Sequence, residues 1–139
     1  GPQKESWREL AGSLRVNIEM PGWLHGVRRA SVYGRAMAVV VPSMWPEPFG
    51  LIGLDAASLG KPAIAFDVGG VREWLHDGST GRTVDPAEGE AGLAKALVQM
   101  LEQPDECARM GRAAFELSTR MSLGAHVDRL ETVLRRAAV

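Results

Sequence analysis

The sequence predicts an α/β fold in which helices flank a parallel β-sheet, and two observations carry this prediction. Short apolar runs such as residues 37–41 and 62–66 alternate along the chain with longer segments of helical spacing. These runs are continuously apolar rather than alternating, which is typical of strands buried on both faces of a sheet. A chain of 139 residues has room for one such domain, and no internal repeat is present.

The N-terminal part of the chain predicts a strand, a helix and a second strand. Apolar and polar residues alternate over residues 16–20, and the pattern stops at the turn signal Pro21. Residues 25–35 place apolar side chains at helical spacing. The apolar run 37–41 then ends at Pro42, so we expect a buried strand followed by a loop.

The rest of the chain continues the alternation of helices and strands. Small residues over residues 51–59 indicate a helix that Gly60 closes as its C-cap. Residues 62–66 predict the next buried strand, and residues 67–70 form a loop. The remaining elements are a short helix at 71–76, a turn at 77–81, a strand at 82–84, and helices at 92–103, 105–118 and 123–138.

Composition and charge exclude several classes of function. The net charge of −1 gives no strong field for nucleic acid or an anionic membrane, and no apolar run approaches the length of a membrane span. Arg28 and Arg29 are interpreted as solvent-facing helix residues.

The single cysteine, Cys107, cannot form an intrachain disulfide or a cysteine-based zinc site, and it fits a reducing, cytoplasmic location. We interpret residues 1–3 as the scar of a removed tag and residues 4–139 as the domain.

A loop and a helix after the strand at residues 37–41 predict a ligand site. Ligands of parallel sheets bind beyond the carboxyl ends of the strands, where this loop lies. The loop carries Glu47, Gly50 lets the backbone approach a ligand, and Asp55 lies further into the helix. A carboxylate accepts hydrogen bonds from two sugar hydroxyls at once. Two carboxylates that flank an anion-binding helix start match the layout of a nucleotide diphosphate sugar.

Five short motifs in and around this segment carry a family resemblance. They are Pro42-Ser43, Glu47-Pro48-Phe49-Gly50-Leu51, Gly60-Lys61-Pro62, Asp67-Val68-Gly69-Gly70 and Asp77-Gly78-Ser79-Thr80-Gly81. In this order and spacing they closely resemble the C-terminal domain of retaining GT-B glycosyltransferases of family four, the group one enzymes. The resemblance covers the chain from residue 14 to its end. It implies a Rossmann-like sheet that binds the sugar donor.

The resemblance implies roles for the two carboxylates. The family has two glutamates separated by seven residues, and this chain has Glu47 at the first position and Asp55 at the second. Glu47 would be the catalytic-site carboxylate that contacts hydroxyls of the donor sugar, and Asp55 would hold the ribose hydroxyls. The aspartate side chain is one methylene shorter than the family's glutamate, which reduces its reach.

Backbone groups and one turn complete the site that the resemblance implies. Phe49, Gly50 and Leu51 would offer backbone amides to the sugar and the phosphates of the donor. The turn at Gly22 and Trp23 would border the nucleobase. No metal and no cofactor are expected, since the sequence has no Asp-x-Asp pair to hold a metal on the phosphates.

Two parts of the family's architecture have no counterpart in this sequence. The family domain begins with a strand, a helix and a strand that carry an arginine and a lysine for the diphosphate, and a separate N-terminal domain binds the acceptor. We therefore expect an incomplete domain that lacks its first strands and is a poor or inactive catalyst alone. The strand at residues 37–41 would pair directly with residues 16–20, or edge to edge with a second copy in a homodimer.

The resulting prediction is the donor-binding domain of a glycosyltransferase. The enzyme would transfer a hexose from a UDP-, GDP- or ADP-linked donor to an acceptor hydroxyl, with retention. The missing N-terminal domain or a partner chain would bind the acceptor. The alternative is a non-catalytic binding or assembly module, either a degenerate remnant or half of a split enzyme. Asp55 and the missing basic residues favour the alternative, whereas the intact segment from Glu47 to Leu51 favours a donor site.

Several residues near the site have structural interpretations beside functional ones. Trp23 and Trp45 are expected to pack loops, and Trp74 is expected in the core or at a loop rim. For Gly69-Gly70, a tight turn and a lining of the ligand site remain open alternatives.

Overall fold

The computed structural model describes residues 2–137 and shows a three-stranded parallel sheet flanked by helices. The strands β1 (Val39–Val41), β2 (Ala63–Phe66) and β3 (Gly81–Val84) lie side by side in chain order. The helices are α1 (Lys4–Ser13), α2 (Gly26–Arg35), α3 (Leu51–Ala57), α4 (Gly89–Glu102), α5 (Pro104–Arg120) and α6 (Leu123–Ala137), and 3₁₀-helices span Gly69–Glu73 and Pro86–Glu88. The α/β fold that the sequence predicts is confirmed.

The central strand β2 organises the core on both faces of the sheet. All of its residues are buried, and it pairs with β1 on one side and with β3 on the other. On one face, Ile64 and Phe66 form a cluster with Met100 of α4 and Met110 of α5. The cluster on the other face contains Val41, Ala63, Ala65, Val71, Trp74 and Leu75. The prediction of a strand buried on both faces is confirmed for β2.

Strand β1 lies at the edge of the sheet and is less buried than the sequence predicts. It spans Val39–Val41 rather than residues 37–41, and the side chain of Val40 is 39% exposed. Val40 is the register partner of Ile64, but α4 and α5 make their main sheet contacts with β2 and β3 rather than with β1. The prediction of burial on both faces is therefore wrong for β1.

Residues 16–20 form no strand, so the predicted pairing of this segment with β1 is wrong. Val16 is 58% exposed and Ile18 is 39% exposed. Apolar alternation produces a strand only where a neighbouring backbone completes its hydrogen bonds. Among residues 2–137, β1 pairs with β2 alone. The outer edge of β1 is open in this chain, and the homodimer through that edge stays a prediction.

Helix α1 has no counterpart in the sequence prediction. Its buried residue is Ala11, whereas Trp7 and Leu10 are more than half exposed, at 57% and 58%. The spacing of Trp7, Leu10, Ala11 and Leu14 by three and four residues is the signal that could have revealed it. The predicted short helix at residues 71–76 also differs, since the chain there forms the 3₁₀-helix that begins at Gly69.

The other predicted helices are confirmed with shifted ends. Helix α3 ends at Ala57, and Gly60, with φ +67°, donates a hydrogen bond from its N–H to the Ala57 carbonyl at 2.9 Å. Helices α4 and α5 are separated at Gln103, and Pro104 occupies the first turn of α5, where proline is tolerated. The predicted end of α6 at residue 138 lies outside the described residues. Within residues 2–137, no helix combines the length and the apolar content needed to cross a bilayer.

Candidate functional site

Glu47 lies in the loop between β1 and α3, at the carboxyl end of the sheet, and both its side chain and its backbone are held. The carboxylate is partly buried, and the Ser43 hydroxyl donates a hydrogen bond to its Oε1 at 3.2 Å. The backbone carbonyl of Glu47 accepts a hydrogen bond from the Gly70 N–H at 2.7 Å. The sequence predicted Glu47 at this end of the sheet, but not the second anchor, which comes from the next loop.

The Gly69-Gly70 pair lets the first 3₁₀-helix pack directly against the backbone of the Glu47 loop. A Cβ on Gly69 would lie 2.3 Å from the carbonyl oxygen of Glu47, and a Cβ on Gly70 would lie 2.1 Å from that of Pro48. Gly69 also adopts φ +52°, which is unfavourable for residues with a Cβ. The pair therefore has a packing role that sets the position of the Glu47 loop.

Trp74 fixes the junction between the Glu47 loop and α3. Its side chain is 2% exposed, and its indole N–H donates a hydrogen bond to the carbonyl oxygen of Phe49. The ring packs against Gly50 and Gly53, where a Cβ on Gly53 would lie 2.0 Å from Cη2 of the indole. Of the two locations expected for Trp74, the core is confirmed. This contact orients the backbone of Phe49 and Gly50, which the family resemblance assigns to the donor.

Asp67, at the carboxyl end of β2, is bound by Arg72 rather than open to a ligand. Arg72 donates from both Nε and Nη2 to the two carboxylate oxygens, and the Nη2–Oδ2 distance is 2.7 Å. This bidentate hydrogen bond holds the pKa of Asp67 below its ordinary value. The pair closes the loop that leads into Gly69-Gly70 and so supports the position of the Glu47 loop.

Asp55 lies on α3 and forms an ion pair with Arg29 of α2. The distance from Arg29 Nη1 to Asp55 Oδ2 is 2.8 Å, and the two side chains are 51% and 39% exposed. Sequence reasoning missed this contact and treated Arg29 as a solvent-facing residue, because 26 residues separate the partners. The ion pair engages one oxygen of the carboxylate that the resemblance assigns to the ribose.

The turn at Gly22 and Trp23 leads into the start of α2. Gly22 has φ +77°, and the Trp23 ring stacks on His25 with centroids 6.3 Å apart and planes inclined by 10°. Trp23 is 93% exposed and Trp45 is 65% exposed, so the expectation that these side chains pack loops is wrong. An exposed indole offers a flat apolar face for another aromatic ring.

Most of the predicted site residues belong to one continuous segment that runs from the end of β1 through α3. Its members are Glu47, Phe49, Gly50, Leu51 and Asp55. An open groove of about 480 Å³ borders this segment and is lined by Phe49, Leu51, Leu54, Glu73, Met121, Leu123, His126 and Arg129. Within the part of the chain that the structure describes, no three His, Cys, Asp or Glu residues are grouped to hold a metal ion.

Comparison with protein families gives a match over most of the chain. The family model described as glycosyl transferases group 1 matches residues 1–117. A glycogen synthase of Mycobacterium tuberculosis is 39% identical over 98 residues, which cover 70% of this chain and 23% of the relative. The chain therefore spans about a quarter of the length of this relative.

Comparison with solved structures gives the same architecture. A sucrose-phosphate synthase from Thermosynechococcus elongatus superimposes with a TM-score of 0.79 at 26% identity, over 99% of this chain and 35% of that one. Anabaena Alr3699/HepE, solved in complex with UDP and glucose, superimposes with a TM-score of 0.79 at 21% identity, over 97% of this chain and 38% of that one. At this identity the HepE likeness shows the fold alone. These neighbours confirm the Rossmann-like GT-B architecture for the chain.

Proposed function

Because this chain belongs to the group 1 glycosyl transferases, we propose that it forms the part of a hexosyltransferase that binds a nucleotide diphosphate sugar. The observation that carries the proposal is the segment from Glu47 to Asp55. It places a carboxylate before the start of α3 and another within α3, and both are held by hydrogen bonds from neighbouring side chains. Hydroxyl-rich ligands are recognised by such fixed carboxylates, since each one accepts several hydrogen bonds.

The proposed roles are those that the family resemblance implies for each group. Glu47 accepts hydrogen bonds from hydroxyls of the donor sugar, and Asp55 accepts them from the ribose. The backbone amides of Phe49, Gly50 and Leu51 face the sugar and the diphosphate. The exposed Trp23, in the turn with Gly22, offers its ring to the nucleobase. The solved structure of HepE with UDP and glucose bound supports a fold that accommodates such a donor.

The proposed reaction is transfer of the hexose to an acceptor hydroxyl with retention. The protein contributes by positioning the donor and by stabilising charge on the leaving diphosphate. It needs no cofactor, and the donor itself is the substrate. Since the chain spans only 23% of the glycogen synthase relative, we propose that acceptor binding and full activity depend on a further domain or a partner chain. The single cysteine supports a cytoplasmic location.

Calorimetric titration of the chain with UDP, GDP and ADP tests the proposal. Saturable binding of one of these nucleotides is expected. Asp55→Ala should reduce the affinity for that nucleotide about tenfold or more. Glu47→Ala should reduce the affinity for the corresponding UDP-, GDP- or ADP-sugar about tenfold or more. Glu90→Ala is the matched control, because Glu90 is an exposed carboxylate in the first turn of α4 and outside this segment. It should bind as the unchanged chain does.

Each outcome of the titration has a clear meaning. The nucleotide that binds tightest names the base of the donor. A folded chain that binds none of the nucleotides or nucleotide sugars at millimolar concentration would contradict the donor site and support the alternative, a non-catalytic assembly module.

A further inference from the structure

We propose that Arg29 is a positioning residue for ribose recognition, acting through its ion pair with Asp55. The inference rests on the proposed donor site and adds a residue to it that the family resemblance does not supply. Its starting observation is the contact of 2.8 Å between Arg29 Nη1 and Asp55 Oδ2, which joins two helices across 26 residues of sequence.

Asp55 needs such a partner because its surroundings do little else to orient it. The residue lies on a short helix, and its carboxylate is 39% exposed. An exposed carboxylate rotates among several side-chain conformations, and each rotation moves its oxygens relative to a bound ribose. The charge-assisted hydrogen bond from Arg29 selects one of these orientations.

The ion pair leaves capacity for the ribose. Arg29 engages Oδ2 through one guanidinium nitrogen and makes no bidentate contact with both oxygens. An ionised carboxylate has about four lone-pair sites, so Oδ1 and part of Oδ2 remain to accept two neighbouring hydroxyls. A ribose presents such a pair of hydroxyls at its 2′ and 3′ positions. Arg29 therefore orients the Asp55 carboxylate and leaves its remaining lone pairs for the ribose hydroxyls.

If Arg29 had only a structural role, it would dock α2 onto the rest of the chain. A second contact of α2 allows this docking role to be tested apart from the orientation of Asp55. No residue of α2 is buried, and polar contacts are among those that join this helix to the rest of the chain. One of them is the hydrogen bond from Lys61 Nζ to the Gly34 carbonyl at 2.9 Å, at the other end of α2. Lys61→Met removes this docking contact and leaves the Arg29–Asp55 pair intact.

The experiment compares the affinity of the full chain for its preferred nucleotide, among UDP, GDP and ADP, with its affinity for the 2′,3′-dideoxy form of the same nucleotide. The unchanged chain should bind the ribose form more tightly. In Arg29→Met we expect affinity for the ribose form to fall about fivefold, and affinity for the dideoxy form to stay within about twofold. Lys61→Met should keep the ribose preference. In an Asp55→Asn background, Arg29→Met should have no further effect on that preference.

The outcomes distinguish this inference from the proposed function. If the chain binds none of the three nucleotides, the donor site fails and the inference fails with it. If the chain prefers the ribose form and Arg29→Met keeps or strengthens that preference, the role of Arg29 is refuted while the donor site stands. A ribose preference lost equally in Lys61→Met would show that docking of α2, rather than orientation of Asp55, is the cause.

Discussion

Replacement of Trp74 by alanine is expected to lower the free energy of unfolding by about 3–5 kcal/mol, the usual range for truncating a large buried aromatic side chain. The indole is 2% exposed and fills the space between the 3₁₀-helix and α3. Its removal leaves a cavity beside Gly50 and Gly53 and removes the donor to the Phe49 carbonyl. Small domains have only about 5–15 kcal/mol of stability, so the variant should be close to unfolding.

Urea denaturation followed by circular dichroism measures this effect, and Trp74→Phe separates its two causes. Phenylalanine keeps much of the ring volume but cannot donate to the Phe49 carbonyl, so it should cost about 1–3 kcal/mol. The phenylalanine variant should remain folded and bind nucleotide more weakly, because the backbone at Phe49 and Gly50 loses its anchor. A loss below about 1 kcal/mol in Trp74→Ala would contradict the close packing of the Trp74 ring against Gly50 and Gly53.

Replacement of Gly70 by alanine is the second change for which we expect a large effect. The new Cβ would lie 2.1 Å from the carbonyl oxygen of Pro48 and 2.8 Å from its carbonyl carbon, so backbone on one side has to move. Overpacking of this kind costs about 1–3 kcal/mol. The displaced segment is the Glu47 loop, and its hydrogen bond from the Gly70 N–H should be lost or lengthened. Nucleotide-sugar affinity should therefore fall more than stability alone explains.

Gly124→Ala is the matched control for Gly70→Ala. A Cβ on Gly124 would meet nothing within 4 Å, and the residue lies in the first turn of α6, where alanine should cause no loss of stability. Thermal unfolding and calorimetric titration of both variants give the comparison. Equal stability and equal nucleotide affinity of Gly70→Ala and Gly124→Ala would contradict the close packing of Gly70 against the Pro48 backbone.

The sequence predicted the elements whose signals are local. The buried strand β2, the helix α3 that begins after Gly50, and the Glu47 loop between sheet and helix each depend on residues close together in the chain. The segment at residues 16–20 shows the limit of such signals. Its alternation is correct for a strand, but a strand also needs a neighbouring backbone, and the sequence pattern does not show whether one is present.

The contacts that hold the site residues in place could not be predicted, because they join residues that are distant in the sequence. Trp74 contacts Phe49 across 25 residues, and Arg29 contacts Asp55 across 26. Neither pair has a spacing that secondary structure imposes, so only the packed fold brings the partners together. The exposure of Trp23 was missed for the same reason, since tryptophan usually packs and only the fold shows an open ring face.

An NMR titration of the isotope-labelled chain with UDP, GDP and ADP in turn tests the central claim most directly, because it locates the bound nucleotide on the chain. We expect one nucleotide to shift the amide signals of Phe49, Gly50, Leu51 and Asp55 and the indole N–H signal of Trp23, while signals of α4 and α5 change little. Shifts confined to other regions, or a folded spectrum that no nucleotide changes at saturating concentration, would contradict a donor site at the Glu47–Asp55 segment.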